Sequence, residues 1–341
     1  MKRTKVLFVV LVVLMVSMMV LSGCQTATAP SAATGTSDKS NAGQADTGEK
    51  VKIGFANLAD TDLFCKRTMD YFVNFCAESH PEWEVICADA NLDVNTQISQ
   101  VENFVVSECD AIVIMPVDYE GAVPAVEAAN AANIPVICLV IDAAGGEKVY
   151  VGSDNYECGK IQAEVANEQL PENAKIVYLA GTPGLHHATL RMNGFTENLK
   201  RDDVEILSNM PADFETEKGM SVMEDWLQTY DQIDGLISAN DTQAHGAIQA
   251  MKAVDRLDNT FIISVDGSYD AFTEIANGEM YGTMFYNGEL QAKNAIGVIE
   301  KFLAGETEIE DVISKFELVT KDNVAEYMKK VYGEDIEVTA K

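Results

Sequence analysis

Several side chains that suit ligand binding follow directly after the apolar runs of this sequence, where a chain leaves a β-strand. The hydrogen-bond acceptors are Asp62, Asp142, Asn240 and Asp266, the forked donor is Arg191, and the aromatic rings are Phe64, Phe214 and Tyr286. Hydroxyl groups both donate and accept hydrogen bonds, and flat C–H faces pack on aromatic rings. A site with more carboxylates than cations also suits an uncharged ligand better than an anion. The set predicts a site for a sugar or a related polyol.

The elements that must position these residues begin at Val51, where short Val- and Ile-rich runs start to alternate with amphipathic stretches. Continuous apolar strands joined by helices predict parallel sheets that are covered on both faces. The pattern occurs twice over about 290 residues, which is at the upper limit of what one core sustains, and so favours two doubly wound α/β lobes over one. In such sheets ligands bind beyond the carboxyl ends of the strands, where the side chains named above are expected to converge.

The first 24 residues have the zones of an export signal. Basic residues precede a run of sixteen residues, Val6 to Leu21, that is apolar but for Ser17. The run is shorter than the roughly 20 residues that span a membrane, which disfavours an uncleaved anchor. Leu21-Ser22-Gly23-Cys24 resembles the lipobox of bacterial lipoproteins, and this resemblance implies that Cys24 is lipidated and begins the mature chain. Residues 25–50 contain no aromatic or large aliphatic side chain and are predicted to be a flexible spacer.

Charge and motifs exclude several classes of function. The chain carries 54 acidic and 24 basic residues, for a net charge of −30, which argues against nucleic acid as a partner. The six cysteines after Cys24 form no CxxC pair and no zinc-ligand pattern, and we expect free thiols, no metal and no cofactor. No G-x-S-x-G or H-E-x-x-H motif occurs, Gly159-Lys160 lacks the rest of a phosphate loop, and His186-His187 is interpreted as loop polarity. Catalysis is not expected.

The folded part, from about Lys52 to about Lys321, resembles the type I solute-binding proteins of the ribose/galactose branch, which are the receptors of sugar ABC importers. The first part of the resemblance lies in Asp62-Leu63-Phe64 and in the junction Ala132-Asn133-Ile134-Pro135-Val136. The rest lies in Gly152-Ser153-Asp154-Asn155, in Gly181 with Arg191 and Gly194-Phe195, in Pro211-Ala212-Asp213-Phe214, in Asn240-Asp241 and in Val265-Asp266-Gly267.

The resemblance implies a first lobe of residues 51–153 plus 287–315 and a second lobe of 154–286 plus 316–341. Three crossing strands, near 153–154, 286–287 and 315–316, would join them. A monosaccharide would bind between the lobes and draw them shut, and the closed protein would dock on a permease driven by an ATPase. The first-lobe candidates are Asp62, Phe64 and Asp142; the second-lobe candidates are Arg191, Phe214, Asn240 and Asp266, with Tyr286 at the hinge. The protein is expected to be an extracytoplasmic, lipid-anchored monomer.

Two departures from the family leave the sugar open. Ribose receptors commonly have a ligand-binding Asp-Arg pair after the fourth strand, where this sequence reads Val140-Ile141-Asp142. Either Asp142 substitutes with a shift of one residue, or the first lobe offers fewer polar contacts. Tyr286 stands where an amide is usual. The alternative function is a sensor that presents a sugar or an autoinducer-2-type signal to a chemoreceptor or kinase, whereas a LacI-type repressor would need a DNA-reading helix-turn-helix ahead of Val51.

Overall fold

The computed structural model describes residues 50–339. The predicted export signal, the lipidation site Cys24 and all of the predicted spacer except Lys50 lie outside the described residues. Between residues 50 and 339, none of the helices combines the length and the apolar character needed to cross a bilayer.

The first lobe is built on a six-stranded sheet in which all neighbouring strands are parallel. Its strands are β1 (Lys52–Asn57), β2 (Glu84–Asp89), β3 (Ala111–Ile114), β4 (Val136–Leu139), β5 (Val149–Ser153) and β11 (Val312–Ser314), in the order β11-β5-β4-β3-β1-β2. The helices around it are α1 (Leu63–Ser79), α2 (Val94–Val106), α3 (Val123–Ala131) and α9 (Gly288–Leu303).

The second lobe repeats this plan in the order β12-β10-β9-β8-β6-β7, with β12 antiparallel to β10. Its strands are β6 (Lys175–Ala180), β7 (Glu205–Pro211), β8 (Gly235–Ser238), β9 (Phe261–Asp266), β10 (Gly282–Phe285) and β12 (Glu317–Thr320). Its helices are α4 (Asn155–Gln169), α5 (His186–Asn198), α6 (Thr216–Thr229), α7 (Asp241–Ala253), α8 (Tyr269–Asn277) and α10 (Val324–Tyr332).

Helix α1 shows how the sequence pattern becomes packing. Its buried face includes Phe64, Met69, Phe72 and Cys76, which recur at helical spacing, and these residues pack on β1 and on α9. The inward residues of β1, such as Phe55, are completely buried in the same core. Burial of side chains on both faces of each central strand explains why the strands read as continuous apolar runs.

The chain passes between the two sheets at three places. It leaves β5 at Ser153 and enters α4 at Asn155, leaves β10 at Phe285 and enters α9 at Gly288, and leaves β11 at Ser314 and enters β12 at Glu317. Two doubly wound lobes joined by three connections confirm the predicted fold class.

The six cysteines of the described region carry free thiols, and all but Cys87 are buried. Burial raises the pKa of the Cys76 thiol to about 12, so that it stays protonated near neutral pH. These residues act as small apolar side chains of the cores.

Candidate functional site

One cavity lies between the carboxyl ends of the two sheets, and seven of the eight predicted site residues line it. About 340 Å³ of space between its lining residues is unfilled by protein atoms, including the part that is open to solvent. The first lobe contributes Asp62, Phe64, Cys65, Val140 and Ile141; the second contributes His187, Arg191, Phe214, Asn240 and Asp266; Tyr286 lies on the second crossing.

Asp62 and Phe64 are held at the start of α1. The Asp62 carboxylate caps this helix, accepting a hydrogen bond of 2.9 Å from the backbone N–H of Cys65. Burial nevertheless raises the pKa of Asp62 above its ordinary value. The Phe64 ring stacks on Tyr286, with ring centroids 4.7 Å apart. A capped helix end therefore carries one acceptor and one ring face into the cavity.

Arg191 is a buried cation of α5, only 3% exposed. Its Nε donates to Asn155 Oδ1 at 2.9 Å and its Nη1 to the carbonyl of Ala239 at 2.6 Å. These bonds hold the guanidinium in a fixed orientation, while Nη2 donates to no group among residues 50–339. Arg191 can therefore offer further N–H donors to a ligand.

Close contact between α4 and α5 brings Arg191 to this position. A Cβ on Gly159 would lie 1.9 Å from the carbonyl oxygen of Arg191, and one on Gly194 would lie 2.1 Å from that of Tyr156. Only glycine permits this approach of the two backbones. Gly159-Lys160 matches two residues of a phosphate-loop motif, but the structure shows that Gly159 packs α4 against α5.

Phe214 depends on another glycine. It follows β7 with a φ of 61°, a left-handed conformation that is rare for an aromatic residue. A Cβ on Gly181 would lie 2.1 Å from Phe214 Cζ, so the ring occupies the space that this missing side chain leaves. Gly181, which marks the start of the predicted arginine segment, therefore makes room for the ring of Phe214.

Asp266 is the least satisfied charged group of the site. It ends β9 with a φ of 126°, a region that non-glycine residues seldom adopt, and it is 7% exposed. Its carboxylate receives no hydrogen bond and forms no ion pair within residues 50–339. Burial raises the pKa of Asp266 well above its usual range, and the charge of Arg191 offsets only part of that shift. A ligand that donates to this carboxylate would remove most of the cost of burying it.

The neighbouring residues Asn240 and Asp241 have different roles: one faces the cavity and the other supports the surrounding structure. Asn240 Oδ1 caps α7 by accepting from the Gln243 N–H at 3.0 Å, which leaves the amide nitrogen for the cavity. The Asp241 carboxylate turns the other way, accepting from Thr283 Oγ1 and from the Ser268 N–H, both at 2.7 Å. Asp241 supports the framework, and Asn240 faces the ligand space.

Tyr286 connects the lobes. Its hydroxyl group donates to the Val140 carbonyl of the first lobe at 3.3 Å, and the same carbonyl accepts from the Tyr150 hydroxyl at 3.0 Å. Val140 has a φ of 67°, a conformation that is strained for a β-branched residue. These two hydroxyl groups hold the turn after β4 against the cavity.

Asp142, the remaining predicted site residue, does not line the cavity. Its Oδ1 lies 3.0 Å from Lys148 Nζ and accepts from the Ala143 N–H at 2.8 Å. The left-handed Val140 turns Val140 and Ile141 towards the cavity and Asp142 out of it. Of the two possibilities left open by the sequence, the structure favours a first lobe with fewer polar contacts.

The sequence reasoning missed His187 and Cys65. His187 lies in the first turn of α5, not in a loop, and its ring stacks on Phe214 with 5.4 Å between centroids. Burial, with a smaller effect of the Arg191 charge, holds the pKa of His187 well below its usual range, so the imidazole is neutral. Cys65 directly follows Phe64, and its pKa is raised by burial. The sequence did contain one indication of the role of His187: it lies four residues, or about one helical turn, before Arg191 and so shares a helix face with it.

A further contact joins the two lobes beside the cavity. Arg67 of α1 donates through Nη1 to the Tyr332 hydroxyl at 2.6 Å, and this hydroxyl donates to the Gly267 carbonyl at 3.0 Å. The first lobe is thereby tied to the residue that follows Asp266. Within the described region, no group of three or more His, Cys, Asp or Glu residues could hold a metal ion.

Comparison with known proteins agrees with this architecture. A family model described as a periplasmic binding protein domain matches residues 53–307. The ribose import binding protein RbsB of Bacillus subtilis is 30% identical over 239 residues, which cover 70% of this chain and 77% of that protein. The xylitol-binding protein of Mycolicibacterium smegmatis is 29% identical over 248 residues, covering 71% of this chain and 70% of that protein.

The fold is also similar to solved structures. An ABC transporter solute binding protein from Bacillus halodurans C-125, with bound myo-inositol, has a TM-score of 0.78 and 31% sequence identity, covering 84% of this chain and 100% of that chain. Its two-lobed plan is the one described above. The chain therefore belongs to the periplasmic binding protein family, with the type I fold, and it is a binding protein and not an enzyme.

Proposed function

We propose that this protein is the extracytoplasmic substrate-binding component of an ABC importer and binds a neutral monosaccharide or related polyol between its lobes. The observation that carries the proposal is the composition of the cavity. Carboxylates, an amide and a guanidinium alternate there with the rings of Phe64 and Phe214. Hydroxyl groups can pair with all three polar types, and the C–H faces of a sugar ring pack on aromatic rings.

The charges of the cavity favour an uncharged ligand over an anion. Asp62 and Asp266 outnumber Arg191, the cation that lines the same space. A carboxylate or phosphate ligand would bring further negative charge beside two buried acids, which is costly in a medium of low dielectric. Relatives named for ribose, for xylitol and for bound myo-inositol support the same class of ligand.

Binding is proposed to couple to closure of the lobes. The cavity is lined from both lobes, and Tyr286 and the Arg67–Tyr332 contact join them directly. A ligand can contact both linings at once only in the closed arrangement, so it shifts the population towards that arrangement. The closed form would then be recognised by a membrane permease with its ATPase.

The lipid anchor is a separate part of the proposal. It rests on the apolar run before Cys24 and on the resemblance of Leu21-Ser22-Gly23-Cys24 to a lipobox. Cys24→Ala should move the protein from the membrane fraction to the soluble fraction of cells that express the full chain, and detergent extraction with mass spectrometry should detect acylation only with Cys24 present. A variant that stays in the membrane fraction would contradict the anchor.

The binding function can be tested with purified protein from residue 50 onward. We expect the melting temperature to rise in the presence of at least one of D-ribose, D-allose, xylitol and myo-inositol, with calorimetry confirming one site per chain. Arg191→Ala should abolish the shift, because it removes the fixed donor fork. Binding of a sugar phosphate or an amino acid in place of every neutral polyol would overturn the proposed class of ligand. The sensor alternative has no observation that favours it over import.

A further inference from the structure

His187 has an unpaired nitrogen inside the protein. Its Nδ1 is buried and has no hydrogen-bond partner among residues 50–339. Buried polar atoms in native proteins are nearly always paired, and an unpaired one costs free energy each time the protein adopts that arrangement. His187 also lines the cavity next to Arg191 and Phe214. His187 as a residue lines the cavity although its Nδ1 is enclosed, so a ligand bound beside it is the available source of the missing partner.

The surroundings of the ring fix its plane. The imidazole is stacked on Phe214 with an interplanar angle of 9°, and Phe214 is itself held by the space above Gly181. His187 belongs to the first turn of α5, the same helix that carries Arg191 one turn later. The orientation of the nitrogen relative to the guanidinium is therefore set by rigid elements, as binding groups require.

We propose that His187 is a ligand-binding residue, whose neutral imidazole pairs through Nδ1 with a hydroxyl group that the ligand presents between Arg191 and Phe214. This inference rests on the proposed function and narrows the ligand class to sugars and polyols that carry a free hydroxyl at that position. Analogues of the ligand in which that hydroxyl is removed or O-methylated no longer pair normally with His187 Nδ1 and therefore bind less tightly. Phe214 packs against the adjoining ring of the ligand.

The neighbouring histidine provides a matched control. His186 stacks on Tyr119 of the first lobe, with centroids 4.0 Å apart, and it does not line the cavity. Phenylalanine at either position keeps the stacking and removes the nitrogens. Only at position 187 does this change remove a group that the ligand would contact.

The experiment measures the affinity of wild type and variants for the tightest binder among D-ribose, D-allose, xylitol and myo-inositol. We expect His187→Phe to weaken binding at least tenfold while leaving the melting temperature of the ligand-free protein unchanged or higher, because an unpaired buried nitrogen is lost. A merely structural role for the imidazole would instead lower that temperature. His187→Asn, which places an amide near Nδ1, should recover most of the affinity, and His187→Gln should not. His186→Phe should bind as wild type does.

Each other result counts against the inference. Wild-type affinity in His187→Phe, an equal loss in His186→Phe, or rescue by Gln rather than Asn would each overturn it, while the proposed function would stand. If none of the four compounds binds to the wild-type protein, the proposed function fails and this inference fails with it.

Discussion

The carboxylate of Asp266 should oppose closure of the cleft when no ligand is bound. In the closed arrangement it is buried without a hydrogen bond, whereas in an open arrangement water would reach it. Asp266→Asn keeps the shape of the side chain and removes its charge. Leaving a buried charged group unpaired costs at least about 1–3 kcal/mol, which corresponds to a change of about 5- to 150-fold in a two-state equilibrium. Because the nearby charge of Arg191 offsets part of this cost, we expect the lower half of the range.

The dependence on pH has a definite sign. Burial raises the pKa of Asp266 in the closed form above its ordinary value, so proton uptake favours closure. The stabilisation of the closed form is complete below the ordinary pKa of an aspartate and is lost as the pH rises through the raised value. Ligand-free wild-type protein should therefore become more compact as the pH is lowered from 7, and Asp266→Asn should lack this component.

Small-angle X-ray scattering of the ligand-free protein measures this equilibrium directly. At pH 7 we expect a smaller radius of gyration for Asp266→Asn than for wild type, together with at least tenfold weaker ligand binding, since the amide is a poorer acceptor. Asp142→Asn is the matched control, because Asp142 pairs with Lys148 outside the cavity and should change neither quantity. Equal radii for wild type and Asp266→Asn across the pH range would refute the reasoning.

Three other substitutions test the contacts that shape the site, and a fourth serves as a control. Tyr332→Phe removes the cross-lobe hydrogen bond from Arg67 and the bond to Gly267 within the second lobe. It should speed ligand dissociation about tenfold in stopped-flow measurements, with little effect on association; an unchanged dissociation rate would show that the contact does not hold the cleft shut. Gly181→Ala should displace Phe214 and weaken binding at least tenfold while the far-ultraviolet circular dichroism stays the same, and full affinity would contradict the packing described. Gly159→Ala should lower the free energy of unfolding by about 1–3 kcal/mol, because its Cβ meets the backbone of α5. Gly297→Ala is the control, because a Cβ at this position meets no atom within 4 Å, and it should raise the free energy of unfolding by about 0.5–1 kcal/mol. Both free energies are measured by chemical denaturation. Equal effects of the two substitutions would contradict the packing described for Gly159.

The fold was predictable because its central strands are buried on both faces. Such strands read as continuous apolar runs, and the polar residue that follows each run marks the edge where ligands bind. This reasoning reached Arg191, Phe214, Asn240 and Asp266, which lie far apart in sequence and line one cavity.

The remaining details depend on backbone conformation and on contacts between distant segments. The direction of Asp142 is set by the left-handed Val140, a conformation that no propensity of valine would suggest. The role of His187 depends on where α5 begins. A shift of the helix start by one or two residues would place His187 in the preceding loop instead of in the first helical turn, and the sequence does not define that boundary. The bond from Tyr332 to Gly267 joins residues 65 apart. Such a contact cannot be predicted from the local sequence around either residue.

The interleaving of the two lobes has a consequence for the order in which the protein can fold. The core of the first lobe includes Ala292, Ala295 and Ile299 of α9, which are synthesised after nearly the whole of the second lobe. The core of the second lobe in turn includes Val319 and Met328. Neither core can be completed while its last segment is still in the ribosome, so the nascent chain has no finished domain to release early. The proposed export of the chain in an unfolded state through a narrow secretion channel would benefit from this delay, since the compact form arises only after the last segment has emerged.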